Sequence, residues 1–324
     1  MENKSRTIKL MNDYGGNKIP FLFIIDFEMK NPIVEKIGEV AADKILFKVN
    51  EIKNFEAAPV ISSKVNFQKY PVSYDEYLTA FNKVMNNINA GNTYLCNLTF
   101  PTRIETNYNL KALFLTSNAK YKLFYNDQFI VFSPECFVRI ENGRIYSFPM
   151  KGTIDASIPN AKEIILKDEK ELAEHITIVD LIRNDLSIVA TDVVVESFRY
   201  VEEITTNQKN LLQVSSKISG ILPDDYHSKI GNIIFSLLPA GSISGAPKKK
   251  TVEIIKEAET YQRGFYTGIF GIFDGTTLDS AVMIRFIEKV GNQYYFKSGG
   301  GITFMSDPES EYRELIDKVY VPII

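Results

Sequence analysis

The sequence predicts an α+β fold of two large, packed, mainly antiparallel β-sheets flanked by helices. Three observations lead there. Strand-length apolar runs and helix-period segments come in blocks, without the strict alternation of a βαβ chain. The dipeptides Asn142-Gly143, Asp274-Gly275 and Gly291-Asn292 are two-residue turn signals that fold neighbouring runs into hairpins. No internal repeat or low-complexity linker divides the 324 residues.

In chain order, the first sixty or so residues read as strands with one short helix. Ile19 to Phe27 is a buried strand; it is too short to span a membrane and contains Asp26. Tyr74 to Asn89 carries Tyr77, Leu78, Phe81, Val84, Met85 and Ile88 at helical spacing, and Gly91 ends it. Thr93 to Phe100, Tyr121 to Phe132 and Phe137 to Phe148 read as strands. Pro159 to Asn184 reads as helix with a break near Asp168. Val193 to Tyr200 and Leu211 to Ile221 are extended, and His227 to Leu238 is helical. Pro247 to Tyr261 is a helix with Pro in its first turn. Gly264 to Ile302 alternates as strands, and Glu309 to Val319 is a closing helix.

Bulk composition narrows the chemistry. A hydrophobic content of 45% suffices for a large core, and a formal charge of −3 leaves no basic footprint for nucleic acid. The opening MENKSRTIKL lacks the apolar core of a signal peptide, and no run suits a membrane. Cys96 and Cys136 make no disulfide framework, which fits a reducing cytoplasm. With only His175 and His227, and no C-x-x-C or H-E-x-x-H, a structural zinc site is not expected; His175 reads as structural and His227 as surface. Catalysis then rests on carboxylates, Lys, Arg and Tyr.

Placing Asn142-Gly143 in a hairpin loop pairs Glu141 with Arg144 and, by counting back, Glu135 with Met150, so Glu135 and Lys151 share one open end. Both also read as rim residues or a simple ion pair. Asp274-Gly275 pairs Tyr266 with Met283; Gly291-Asn292 pairs Met283 with Gly300 and Arg285 with Ser298. Tyr266, Arg285 and the run Gly299, Gly300, Gly301 then lie side by side across three strands. Arg285 interrupts the apolar SAVMIRFI, where an unpaired guanidinium is costly, so it needs an anion. That anion is either a bound carboxylate, gripped by the guanidinium fork and approached by glycine N–H groups, or an internal glutamate. Glu171 and Glu174 share a helix face, as do Glu311 and Glu314. Four carboxylates on two helices suit Mg²⁺, which takes a few carboxylates plus water and substrate; two solvated helix faces fit the same spacing.

At these residues the sequence resembles the chorismate-binding enzyme family. The matching stretches are SPECF (133–137), PMKGT (149–153), ELAEHITIVDLIRNDL (171–186), LLPAGSISGAPKKKTVEII (237–255), RGFYTGIFG (263–271), SAVMIRF (280–286) and SGGGITFMSDPESEYRE (298–314). They fall in the family's order within 71–324, a single catalytic core, whereas 1–70 is a short portion with a weak match. The resemblance implies two packed sheets with the active site between them. It implies Mg²⁺ held by Glu171, Glu174, Glu311 and Glu314. Substrate contacts fall to Tyr266, Arg285, Gly299, Gly300 and Gly301, with Thr153 in PMKGT and Lys318 added. Glu135 becomes the general acid. Lys151 stands where anthranilate and isochorismate synthases carry Ala, and resembles the aminodeoxychorismate synthases, in which it acts as a covalent nucleophile. Leu95 occupies the position of a water-activating Lys in hydroxylating relatives, which argues against hydroxylation. Gln213 replaces a His found in many relatives. Neither cysteine lies in a G-x-C-x-G elbow, so ammonia comes from solution or from a glutamine amidotransferase partner. Chorismate amination toward folate is the expectation. Anthranilate synthase component I and a non-catalytic chorismate-sensing subunit are the alternatives.

Overall fold

The computed structural model describes residues 2–56, 66–205 and 210–322. Two nine-stranded sheets form the body, and every ladder between described strands is antiparallel. The strand Phe21–Ile25 lies inside one sheet, between Ile269–Phe273 and Ile33–Lys36, and is buried on both faces, which is why it reads as an unbroken apolar run. Its alternation divides the core. Leu22 and Ile24 point toward the second sheet and meet Ile45, Phe47, Leu123, Phe129 and Phe286. Phe21, Phe23 and Ile25 point outward under helices, with Met11, Ile182, Ile230 and Ile234. Helices also cover the far face of the second sheet, where Tyr77, Phe81 and Val84 pack with Ile254, Ile255 and Leu315. The expected sandwich of sheets between helices is therefore present.

Several elements match their expected limits. Tyr74–Asn89 is helical, capped by Ser73, whose hydroxyl accepts from the Glu76 N–H. The break near Asp168 is a helix start: Ala161–Lys167 ends, and Asp168 caps Glu169–Leu186 through the Glu171 N–H. Glu141 pairs with Arg144 as the turn signal required.

Other elements differ for identifiable reasons. The first residues form a fifteen-residue helix, Glu2–Gly16. Its buried stripe is Thr7, Met11 and Gly15, of which only Met11 is a large apolar residue, so no apolar period appears. Residues 57–60 of that first stretch lie outside the described residues. Tyr121 to Phe132 is a hairpin of Tyr121–Tyr125 and Phe129–Ser133, turned by Asn126 and Asp127, both at positive φ. His227 is half-buried and lies in a 3₁₀ turn, Tyr226–Lys229, before the Ile230–Leu237 helix. Pro247 is the cap residue ahead of the helix Lys248–Ala258, one position before its expected place.

Two corrections bear on the site. The Asp274 carboxylate accepts from the Thr276 and Thr277 N–H groups and makes a four-residue turn, so Ile269 pairs with Val282 and Met283 faces Gly268 rather than Tyr266. The slip is two residues, so the faces are kept. The second turn has its expected register, with Phe286 opposite Lys297. Leu278–Val282 belongs to one sheet and Phe286–Val290 to the other, however, so the Met283–Gly300 pair does not form and Tyr266, Arg285 and the glycines do not share one sheet. Met150 likewise pairs with Ser215, not Glu135, because Met150–Asp155 follows the strand Asn210–Ile221.

No helix among the described residues is long and apolar enough to cross a membrane. Helix Glu2–Gly16 sits so close to Ile230–Leu237 that a Cβ on Gly231 would stand 2.4 Å from the Ile8 carbonyl oxygen. Gly231→Ala is therefore expected to cost about 1–3 kcal/mol, read as a lowered midpoint of thermal unfolding. An unchanged midpoint would contradict this packing.

Candidate active site

The catalytic residues expected from sequence converge on a cavity of about 80 Å³ lined by Glu135, Pro149, Met150, Lys151, Glu174, Ser242, Gly301 and Leu95. Local backbone explains how Lys151 gets there. The ladder of Met150–Asp155 shifts register between Met150 and Thr153, so Lys151 and Gly152 form a bulge. Gly152 has φ +81, and an added Cβ would stand 3.0 Å from Glu171 Oε2, so glycine is needed for both conformation and space. Thr153 lies beyond the bulge, exposed, opposite Gln213.

Lys151 Nζ is 2.6 Å from Glu174 Oε2, whose side chain is 6% exposed. Burial works against the ammonium, but Glu174, Glu171 and Glu314 outweigh it and hold the amine above its ordinary value. Its ion-pair partner is thus Glu174 rather than Glu135. The helix Glu169–Leu186 presents Glu171 and Glu174, and the helix Pro308–Asp317 presents Glu311 and Glu314, toward the same cleft. Burial raises the Glu171 and Glu311 carboxyls, while at Glu311 the Ser306 hydroxyl, which donates at 2.9 Å, pulls the other way. Burial also opposes ionisation of Glu314, yet Lys318, Lys151 and Lys170 together hold that carboxyl below its ordinary value.

The donor set is chemically suited to Mg²⁺, which prefers hard carboxylate oxygens. One oxygen of the set, Glu171 Oε2, is buried without a hydrogen-bond partner, as a ligand atom awaiting a cation would be. Among the described residues no three such side chains stand ready-made in metal-holding geometry; lysines lie between them instead.

Glu135 is held toward its protonated form. Burial raises its carboxyl, tempered by the Ser242 hydroxyl, which donates to Oε1 at 2.5 Å, and by Lys318. Ser242 was not singled out from sequence, although it lies within GSISGAPK. That segment is pinned: Lys248 Nζ pairs with Asp185 at 2.7 Å and donates to the Leu237 carbonyl, and Arg263 donates to the Ile243 and Asn97 carbonyls. Lys248 thereby gains a role as an anchor. His175 is only half satisfied: its Nε2 meets the Ser216 hydroxyl at 2.7 Å while its Nδ1 is buried without a partner, and burial with Arg199 lowers it to about 4, leaving it neutral.

Arg285 sits at the crossing between sheets with φ +50, its guanidinium 4.8 Å from the Tyr320 ring. Among the described residues no carboxylate pairs with it, which removes the internal-glutamate alternative. Burial works against a charge that Arg does not give up. Tyr266 is 3% exposed and packs on Phe286 rather than lining the cavity. In the glycine run, Gly301 lines the cavity, Gly300 faces Glu311 Oε2, and the Gly299 carbonyl accepts from Lys318 Nζ at 2.9 Å. Leu95 lines the cavity too, so the wall there is apolar. A wider groove of about 1220 Å³, rimmed by Tyr94, Ile176, Phe304 and Met305, opens beside the cavity and shares Glu174 with it.

The sequence profile of a family described as chorismate binding enzyme matches residues 30–323. A Haemophilus influenzae protein described as an uncharacterized PabA-like protein is 49% identical over 316 residues, covering 98% of this chain and 96% of its own. Aminodeoxychorismate synthase component 1 of Salmonella typhimurium is 32% identical over 268 residues, 75% of this chain and 56% of its own. The crystal structure of anthranilate synthase component I from Streptococcus pneumoniae superposes with a TM-score of 0.67 at 27% identity, covering 79% of this chain and 59% of that one.

Two outcomes follow from the geometry. Arg285→Lys is expected to raise KM for an anionic substrate at least about tenfold, because a point charge cannot reproduce the fork; an unchanged KM would make Arg285 structural. Ser242→Ala removes a donor that favours the Glu135 carboxylate, so Glu135 should stay protonated to higher pH. The high-pH limb of kcat, where an acid is lost, should then move upward, and a limb left in place would separate Ser242 from the proton donor.

Proposed function

Since this chain belongs to the chorismate binding enzyme family, we propose that it aminates chorismate to 4-amino-4-deoxychorismate, a step toward folate, in the cytoplasm. One observation carries the proposal: the Lys151–Gly152 bulge directs an amine into the cavity that also holds Glu135. Arg285 and the Gly299 to Gly301 run bind the enolpyruvyl side, with Lys318 supporting that end; Tyr266, packed on Phe286, and Thr153, exposed beyond the bulge, do not line the cavity. Neutral Lys151 forms a bond to the ring carbon beside the carboxylate-bearing one. The ring double bonds shift, the carbon–oxygen bond to the hydroxyl breaks, and the hydroxyl leaves as water with the proton from Glu135. Ammonia then bonds to the carbon that lost the hydroxyl, the double bonds shift back, and Lys151 departs with its electron pair. The new ammonium returns a proton to Glu135, which closes the balance.

Burial favours the protonated Glu135 that this sequence requires. Glu171, Glu174, Glu311 and Glu314 would hold Mg²⁺, which would act as a Lewis acid toward the ring carboxylate and offset the charge that keeps Lys151 protonated. Burial pushes the thiols of Cys96 and Cys136 up to about 12, so neither suits a glutaminase nucleophile. A separate glutamine amidotransferase subunit is the proposed ammonia source.

The 2.6 Å Lys151–Glu174 pair favours a second reading, in which Lys151 is an electrostatic fixture and ammonia attacks directly, as in anthranilate-type amination. Lys151→Ala separates the two. Under the covalent scheme the variant loses most amination with ammonium. Wild-type protein incubated with chorismate without ammonia gains a chorismate-derived mass on the peptide containing Met150-Lys151-Gly152. A variant as fast as wild type, with no adduct in either protein, would defeat the covalent role. Glu174→Gln is expected to abolish turnover with the fold retained, and full activity in excess chelator would remove Mg²⁺.

A further inference from the structure

Lys170 stands at an unfavourable place in its helix. It is the second residue of the helix Glu169–Leu186, where a positive charge faces the positive end of the helix dipole and costs helix stability. Its neighbours obey the rule: Asp168 caps the helix, and Glu169 and Glu171 are acidic first-turn residues. A lysine kept in that position needs compensation from elsewhere.

The compensation lies across the cleft. Lys170 Nζ is 3.5 Å from Glu311 Oε1 and 3.9 Å from Glu174 Oε1. These are the two least exposed of the four glutamates, with side chains 6% exposed, and they come from different helices. Among the described residues no other ion pair joins these two helices: Lys151 reaches Glu174 from a strand, and Lys318, the C-cap residue of the helix Pro308–Asp317, reaches back to Glu314. Both Lys170 distances exceed normal hydrogen-bond length, so the contact is charge against charge. Its side chain is 39% exposed and can swing into solvent.

We propose that Lys170 is a place-holding counter-cation: it ties the two glutamate-bearing helices together while the site is empty and competes with the divalent cation for Glu174 and Glu311. The proposal rests on the assignment of a divalent-cation site to these glutamates. A monovalent ammonium can bridge two carboxylates without closing on them, so it keeps the helices in register yet yields to a double charge. Lys170 then sets how tightly the metal is held and is a positioning residue, because it need not touch the substrate.

Binding of Mn²⁺ to the full chain, followed by the loss of its free electron-spin-resonance signal and by calorimetry, tests this without any activity measurement. Lys170→Gln should bind Mn²⁺ at least about fivefold more tightly than wild type, since the competitor is gone. Its metal-free form should melt at a lower temperature and recover most of that loss on adding Mn²⁺. Lys170→Arg keeps the charge and should bind within about twofold of wild type. Equal or weaker Mn²⁺ binding by Lys170→Gln overturns the proposal. A different result overturns the metal site itself, and the proposal with it: wild type that binds no Mn²⁺ stoichiometrically, or Glu311→Gln that binds it as wild type does.

Discussion

Like-charge repulsion organises this site. Two helices deliver Glu171, Glu174, Glu311 and Glu314 into one half-buried cleft. Two unit charges about 4 Å apart repel by about 4 kcal/mol at an effective dielectric of about 20. The fold tolerates such a cluster only with positive charge inside it. Lys151, Lys170 and Lys318 provide that charge, each paired with a different glutamate or bridging two. The same cluster explains why the Lys151 amine is held protonated and why oxygen-seeking cations suit the cleft. The chemistry proposed for Lys151 therefore depends on whatever relieves the carboxylates.

Around the cluster, the scaffold is rigid for a physical reason. Arg263 is almost fully buried, and its guanidinium meets Glu259, the carbonyls of Asn97 and Ile243, and the Thr267 hydroxyl. Burying that charge is acceptable only because every donor direction is matched. The consequence is positional. Asn97 lines the cavity, and Ile243 adjoins Ser242 and Ser244, which line it as well. Asp185 and Lys248 fix the other end of the same segment. A serine aimed at Glu135 from a segment held at both ends is how an acid can be oriented without a dedicated charged partner.

Much of this was legible in the sequence because local rules dominate there. The helix Tyr74–Asn89 follows its apolar period, and the Gly291-Asn292 turn alone sets the register of two strands. What was not legible depended on contacts distant in sequence or on side chains that compete with the backbone ladder. The first helix packs on a methionine, a threonine and a glycine, so no apolar period announces it. The Asp274 side chain lengthened its turn by two residues, a competition between side-chain and ladder hydrogen bonds that the dipeptide does not reveal. The crossing from one sheet to the other at Met283 to Arg285 moved Tyr266 away from the glycine run. In the site, the carboxylates and Lys151 were visible as motif residues, but Lys170 was not, because its partner Glu311 lies on a helix far along the chain.

Everything proposed about Lys151, Glu135 and the glutamates presumes one reaction, and the identity of its product is the most direct test. The purified chain is incubated with chorismate, an ammonium salt and Mg²⁺, and the product is identified by chromatography with mass and absorbance detection. The account predicts 4-amino-4-deoxychorismate, with the enolpyruvyl group retained and no pyruvate released. Anthranilate with stoichiometric pyruvate, or chorismate recovered unchanged, would contradict it.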